Sequence, residues 1–177
     1  MSVEESGSDV GSDKDPPVSL QEVIKAFLQT HQFLHQYRLQ KLIYLAELMY
    51  REKHEGRPLT EAEYKPYMYG AYSEDVDDTL SELRGDPEVK AENQHRYRNS
   101  KTTYKGEIED LDIPSDVEDL VEVVTNMTRR MSSDDLAQWS KSTYLFDETD
   151  YNDEMEFEKY LSAIREGEVE PDWKKIS

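Results

Sequence analysis

The sequence predicts an α+β fold that is mostly α, with about six helices packed around a central buried helix at residues 35–54. A short strand and a small β-hairpin are inserted after the third helix. Apolar side chains recur at helical spacing in six segments, serines and glycines mark the ends of several of them, and two intervening segments carry strand-forming residues. At 177 residues, the chain has the length of one ordinary domain.

The first two helices follow from their caps and their apolar periodicity. Ser19 followed three residues later by Glu22 is a capping box, which predicts the start of the first helix. Residues 35–54 carry an apolar arc wider than the stripe of a surface helix, which predicts the most buried helix, and Gly56 and Pro58 end it. The arc consists of Leu39, Leu42, Ile43, Leu45, Ala46, Leu48, Met49 and Tyr50.

The middle of the chain predicts short β elements around a third helix. Residues 64–72 are aromatic and interrupted by Pro66, which suits a short edge strand or an extended loop. Ser73 then caps a helix that Gly85 ends. Residues 89–108 place strand-forming residues around polar turn formers, and this pattern predicts a β-hairpin.

The last part of the chain predicts three more helices. Ser115 and Glu118 form a second capping box, either Ser132 or Ser133 caps the next helix, and the final helix covers residues 152–167. The remaining segments lie outside the predicted domain of residues 18–167. They are a disordered acidic leader at residues 1–17 and a C-terminal tail at residues 168–177.

The chain is strongly acidic, with 40 Asp and Glu against 21 Lys and Arg and a net charge of -19. Such a surface repels phosphate backbones and anionic membranes, which argues against sequence-independent binding to either. The charge reflects either solubility alone or adaptation to a salty cytoplasm. No apolar run approaches the roughly 18 residues of a membrane span, and the acidic N-terminus differs from a signal peptide. A soluble cytoplasmic protein is expected.

The sequence offers few groups for catalysis. There is no cysteine, and the seven glycines match no phosphate-binding pattern. His31 and His35 stand four residues apart, which would place them on one helical face as a metal pair, or simply at a polar helix end. We therefore expect no enzyme activity, no cofactor and no metal site.

A basic segment at residues 93–105 reverses the local charge, since it contains no acidic residue. A basic hairpin after a helix resembles the wing of a winged-helix nucleic-acid binder, although the preceding helix begins with acidic residues. The same pattern also suits a solvated hairpin, or a docking site for an acidic partner or for the leader. The basic residues are Arg96, Arg98, Lys101 and Lys105.

Four segments together resemble the Panacea, or SocA-like, antitoxin domain. Residues 38–46 read RLQKLIYLA, residues 56–59 read GRPL, residues 67–76 read YMYGAYSEDV, and residues 131–140 read MSSDDLAQWS. Their order and spacing fit the family over roughly residues 20–164. Ala71 stands where the family usually has proline, and Tyr67 where it often has tryptophan.

The resemblance implies an antitoxin that neutralises a cognate toxin, encoded next to it, by direct binding. Some relatives are adaptors that deliver a toxin to a protease, so a protease or chaperone is a further expected partner. The alternatives are a winged-helix-like regulator that uses the basic hairpin and, as a weaker one, a phosphodiester hydrolase.

We assign two different roles to residues in the region that resembles the family. Gly70 is expected to adopt positive φ, and the core is not expected to require Gln40 or Lys41. The predicted partner-binding residues are Gln40, Lys41, Tyr67, Tyr69, Tyr72 and Trp139. The predicted structural residues are Leu39, Leu42, Tyr44, Ala46, Gly56, Pro58, Gly70 and Ser73.

Overall fold

The computed structural model describes residues 15–32, 34–96 and 99–176, with the backbone alone for 93–96 and 99–102. Its α-helices are α1 (Leu20–Thr30), α2 (Gln36–Lys53), α3 (Glu74–Leu83), α4 (Ser115–Thr128), α5 (Ser133–Lys141), α6 (Tyr144–Glu148) and α7 (Phe157–Arg165). Its strands are β1 (Leu34–His35), β2 (Lys65–Tyr67), β3 (Gly70–Tyr72), β4 (Val89–Arg96) and β5 (Asn99–Gly106). A 3-10 helix, Asp172–Lys175, follows. The α+β, mostly α class is confirmed.

Helix α2 is the centre of the fold, as its apolar arc predicts. Every residue from Leu39 to Leu48 is buried, and the helix contacts α1, α4, α5 and α7. Most of these buried residues are apolar, and Gln40, Lys41 and Glu47 are the buried polar ones. The predicted structural residues Leu39, Leu42, Tyr44 and Ala46 are fully buried, and the Tyr44 hydroxyl lies 2.8 Å from the Thr143 hydroxyl.

Two small antiparallel sheets accompany the helices. The predicted hairpin is formed by β4 and β5, and the unpredicted strand β1 adds to its edge in the order β1-β5-β4. The aromatic segment forms a second hairpin, β2 and β3, in which Pro66 faces Ala71 and Tyr67 faces Gly70. Strand β1 has only two residues, too few for an alternating pattern to be visible in the sequence.

The serine caps of three helices are confirmed, but the second predicted capping box is wrong. Ser19, Ser73 and Ser132 each accept a hydrogen bond from a backbone N–H of the following turn. In α4, Pro114 is the N-cap residue and Ser115 lies within the helix, where it makes no cap bond. Because Ser115 is already the first helical residue, α4 begins one residue earlier than a Ser115 cap requires.

The final helix begins at Phe157 and not at Asn152, so its predicted start is wrong. Asn152 has a φ of +69°, which a right-handed helix does not allow. The Met155 N–H instead donates to the Tyr64 carbonyl at 2.7 Å, which ties this segment to the chain just before β2. Gly167, with a φ of +74°, ends the helix as predicted. The short helix α6 was not predicted.

The segment that the sequence assigns to a C-terminal tail packs onto the domain. Asp172 is 2% exposed, and its carbonyl accepts a 2.9 Å hydrogen bond from the Trp139 indole. The packed part of the chain therefore extends to the 3-10 helix. Of the predicted leader, residues 1–14 lie outside the described residues. Among the helices that are described, none has the length and apolar composition needed to cross a membrane.

Candidate functional site

The β2–β3 hairpin rests on two polar side chains of the central helix. The Gln40 amide donates to the Ser73 carbonyl at 2.8 Å and accepts from the Ser73 N–H at 2.9 Å, and the Lys41 ammonium donates to the Ala71 carbonyl at 2.9 Å. Gln40 is 1% exposed and Lys41 is 4% exposed. The prediction that these two residues lie on a contact surface is wrong, because the core requires them to satisfy the hairpin backbone.

Burial lowers the pKa of Lys41. Removal from water disfavours the ammonium and lowers the pKa of Lys41 to about 8, with a further lowering by Lys141 that Asp77 opposes. A lysine with this pKa exchanges its proton near neutral to mildly alkaline pH. The free energy that Lys41 contributes to the stability of the folded protein is therefore sensitive to pH.

Gly70 permits the hairpin to lie against α5. Its φ is +112°, which confirms the predicted positive φ. A Cβ at this position would overlap the Ser140 hydroxyl and lie 3.3 Å from the Ala137 carbonyl. The Ser140 hydroxyl accepts a 3.2 Å hydrogen bond from the Ala71 N–H. A proline at position 71 could not donate this bond, so alanine fits the position.

Exposed tyrosines cluster on and beside this hairpin. Tyr67 is stacked between Tyr72 and Tyr151, with ring centroids 5.2 and 5.7 Å away, and Tyr69 lies 6.2 Å from Tyr37. Tyr69 and Tyr151 are 60% and 62% exposed. We define the tyrosine surface as Tyr37, Tyr67, Met68, Tyr69, Tyr72 and Tyr151. Tyr37 and Tyr151 were not predicted, because they approach the hairpin only in the folded chain, and Met68, in the hairpin turn itself, was not predicted either.

Trp139 does not belong to the tyrosine surface. It is 6% exposed, its ring centroid lies 5.8 Å from that of Tyr44, and its indole N–H is bonded to the Asp172 carbonyl. Its predicted place on a contact surface is wrong, because the C-terminal 3-10 helix covers it. The partner-binding role of Tyr67, Tyr69 and Tyr72 stays a prediction.

Carboxylates border the tyrosine surface on one side. A cleft there is lined by Glu63, Tyr64, Lys65, Glu74, Asp75, Asn152 and Glu154. The Lys65 ammonium lies 2.6 Å from the Glu74 carboxylate. The Tyr72 hydroxyl donates to Asp77, and burial together with this carboxylate raises the pKa of Tyr72 above its usual value. The cleft is thus lined by four carboxylates and one ammonium.

Glu47 is a buried structural residue that sequence reasoning missed. Its carboxylate accepts hydrogen bonds from the Leu59 N–H at 2.7 Å and the Arg51 guanidinium at 2.8 Å. It thereby holds the turn that contains Gly56, whose φ is +91°, and Pro58. Burial raises the pKa of Glu47, and Arg51 opposes the shift. The signal that could have revealed it was an acidic residue inside an otherwise apolar arc.

The predicted basic patch is described only in part. Its backbone forms the ladder between β4 and β5, and Lys105 is exposed. Arg98 and the side chains of Arg96 and Lys101 lie outside the described residues. The shape of the basic surface therefore stays a prediction.

His31 and His35 do not share a helical face, so the interpretation as a metal pair is wrong, whereas the alternative of a polar helix end fits both residues. His31 is the C-cap of α1 and its ring Nδ1 lies 2.8 Å from the Phe27 carbonyl, whereas His35 lies in β1. Burial lowers the pKa of His31. In the described part of the chain, no group of three or more His, Asp or Glu side chains is placed to hold a metal ion.

Comparison with known proteins identifies one family that this chain resembles. No curated protein and no solved structure matches the chain. A family model described as antitoxin SocA-like, Panacea domain, matches residues 39–144, from the central helix to the first residue of α6. The match covers more than half of the 177 residues and includes Lys41, Gly70 and Ser140, which together seat the hairpin. The chain therefore belongs to the SocA-like antitoxin family that carries the Panacea domain.

Proposed function

We propose that this protein is an antitoxin that neutralises a cognate toxin by direct contact through the tyrosine surface. Membership in the SocA-like family supports an antitoxin role. The observation that supports the site is the group of exposed aromatic side chains on one hairpin and its neighbours. Large exposed apolar and aromatic patches are typical of protein interaction sites, where tyrosine supplies contact area and a polar hydroxyl.

The proposed activity is binding in the cytoplasm, without catalysis. A rigid support favours affinity, because less conformational freedom is lost when the partner binds. Gln40 and Lys41 hold the hairpin backbone from below, and Ser140 holds it from α5. The toxin is proposed to be encoded next to this gene. A protease or chaperone joins the complex if the protein is an adaptor.

Co-expression with the neighbouring gene tests the proposal. The wild type is expected to rescue cells from the neighbour's toxicity, and a variant carrying Tyr67→Ala and Tyr69→Ala is expected to fail. Loss of two central aromatic contacts would weaken binding by about 2–4 kcal/mol. Val123→Ala is the matched control, since Val123 is an exposed apolar residue on the separate helix α4.

The same experiment separates occlusion from adaptor action. If the protein is an adaptor, the amount of toxin falls when it is co-expressed and recovers when the host protease is removed. If it acts by occlusion, the toxin accumulates in an inactive complex. Rescue by the double tyrosine variant at wild-type level would contradict the assignment of the tyrosine surface.

The order of elements supports a second candidate, a winged-helix-like regulator that binds nucleic acid. Apart from the β2–β3 hairpin inserted between α2 and α3, the elements follow the winged-helix order of α1, β1, α2, α3, β4 and β5, with β1 against β5. The acidic first turn of α3, with Glu74, Asp75 and Asp77, opposes this role. For this candidate, Arg96→Glu with Arg98→Glu is expected to abolish DNA retention at physiological salt, while Lys159→Glu leaves it unchanged.

A further inference from the structure

The cleft beside the tyrosine surface brings together acidic groups from three segments. Glu63 precedes β2, Glu74 and Asp75 begin α3, and Glu154 lies between α6 and α7. Four carboxylates face one ammonium, that of Lys65, which is already bonded to Glu74. A partner that meets this edge therefore encounters negative charge.

The cleft is continuous with the aromatic rings. Lys65 is paired with Tyr72 across the β2–β3 ladder, and Asn152 directly follows Tyr151. Glu74 and Asp77 both act electrostatically on the Tyr72 hydroxyl. The stacked rings and the carboxylates therefore form one composite surface.

A guanidinium group satisfies both halves of this surface. It is planar and cationic, stacks on aromatic faces and pairs with carboxylates in a two-pronged geometry. The protein contains such a contact, since the Arg51 guanidinium lies 4.0 Å from the centroid of the Phe157 ring and also bonds the Glu47 carboxylate. An ammonium group provides the charge but not the planar fork.

Other partner chemistries fit this surface less well. Nucleic acid and phosphorylated or acidic peptides would be repelled by Glu63, Glu74, Asp75 and Glu154. A purely apolar partner would bury these carboxylates without a counter-charge, which is costly.

Building on the proposed toxin contact, we infer that the tyrosine surface and its acidic cleft bind an arginine-rich segment of the partner. The guanidinium groups stack on the exposed rings of Tyr69 and Tyr151 and pair with the carboxylates of Glu63 and Glu154. The partner thus presents a cationic face to this antitoxin.

A peptide probe tests this inference without knowledge of the toxin. The probe is a short fluorescein-labelled peptide that alternates arginine and glycine, compared with lysine and citrulline counterparts by fluorescence anisotropy at about 0.15 M salt, where the Debye length is about 8 Å. Tyr69→Ala with Tyr151→Ala is expected to weaken the arginine peptide roughly tenfold. The lysine peptide is expected to bind less tightly, and the neutral citrulline peptide is expected not to bind.

A charge-matched pair of variants separates the site from the overall acidity of the protein. Glu63→Lys with Glu154→Lys changes the net charge as much as Glu118→Lys with Glu122→Lys, and all four glutamates are exposed. The first pair is expected to abolish binding of the arginine peptide and the second to change it less than about twofold. Far-UV circular dichroism verifies that each variant is folded.

The outcomes distinguish this inference from the proposed function. Equal loss in the two charge-matched variants, or unchanged binding after removal of both tyrosines, would overturn the inference even if the wild type rescues cells. Site-specific binding of the arginine peptide without any rescue by the wild type would support the inference and overturn the antitoxin proposal.

Discussion

The ammonium of Lys41 donates a 2.9 Å hydrogen bond to the carbonyl of Ala71, deep between the central helix and the β2–β3 hairpin. Lys41 is 4% exposed, so its ammonium group is almost completely shielded from water. Its aliphatic stem passes beneath Gly70, where a Cβ would lie 3.2 Å from the Lys41 Cε. This contact couples the core of the protein to the hairpin that carries Tyr67 and Tyr69.

Stability is expected to rise with pH through the titration of Lys41. Its pKa is about 8 in the folded chain and 10.5 in the unfolded chain, so unfolding takes up a proton between these values. The free energy of unfolding should therefore increase from pH 8 towards 10.5, by no more than about 3.4 kcal/mol. Urea unfolding of the wild type and of Lys41→Met across this range measures the effect.

The Lys41→Met variant serves as the reference, because it cannot take up this proton. Buried tyrosines have raised pKa values and reduce stability above their ordinary pKa near 10, but this contribution is present in both proteins. The difference between wild type and variant should therefore isolate Lys41. A difference that does not change with pH would contradict the lowered pKa.

Substitution of Gly70 by alanine is expected to destabilise the protein by about 2–4 kcal/mol. Positive φ disfavours a Cβ, and this Cβ would also collide with Ser140 on α5. Gly167→Ala is the matched control, since Gly167 also has positive φ but has no atom within 4 Å of the added Cβ. Urea unfolding should show a cost of about 1–2 kcal/mol for the control. Equal costs would contradict the proposed collision.

Asp172→Ala is expected to destabilise the fold by about 1–3 kcal/mol, because it leaves a backbone donor without a partner. The Asp172 carboxylate accepts a 3.0 Å hydrogen bond from the Tyr144 N–H, and its own N–H donates to the Tyr160 hydroxyl at 2.8 Å. Glu170→Ala, two residues earlier and with an exposed side chain, should change stability by less than about 0.5 kcal/mol. Thermal unfolding followed by tryptophan fluorescence compares the two variants.

If the net charge of -19 reflects adaptation to salt, folding should depend on salt concentration. Transfer from molar salt to about 0.01 M lengthens the Debye length from about 3 Å to about 30 Å, so repulsion among carboxylates would unfold the chain. Far-UV circular dichroism should then lose its helical signal. Replacing Glu118 and Glu122 by glutamine should lower the salt required. Complete folding without molar salt would leave solubility as the reason for the charge.

Local sequence patterns predicted several elements correctly, although the capping box of Ser115 and Glu118 did not form. The capping box of Ser19 and Glu22, the apolar arc of the central helix and the positive φ of Gly70 were all predicted, because each depends on neighbours within a few residues. The start of the last helix was not predicted correctly. Asn152 is placed by the contact of its segment with the chain around Tyr64 and β2, which is distant in sequence.

By itself the sequence determined the α+β, mostly α class, the central helix and the family, since these follow from periodicity and from motifs in a fixed order. Only the tertiary structure decided which residues of the motif face solvent. Gln40, Lys41 and Trp139 are polar or amphipathic and look suited to an interface, yet the hairpin backbone and Asp172 bury them. Buried backbone groups need partners wherever they lie, and those partners come from elements far apart in the chain.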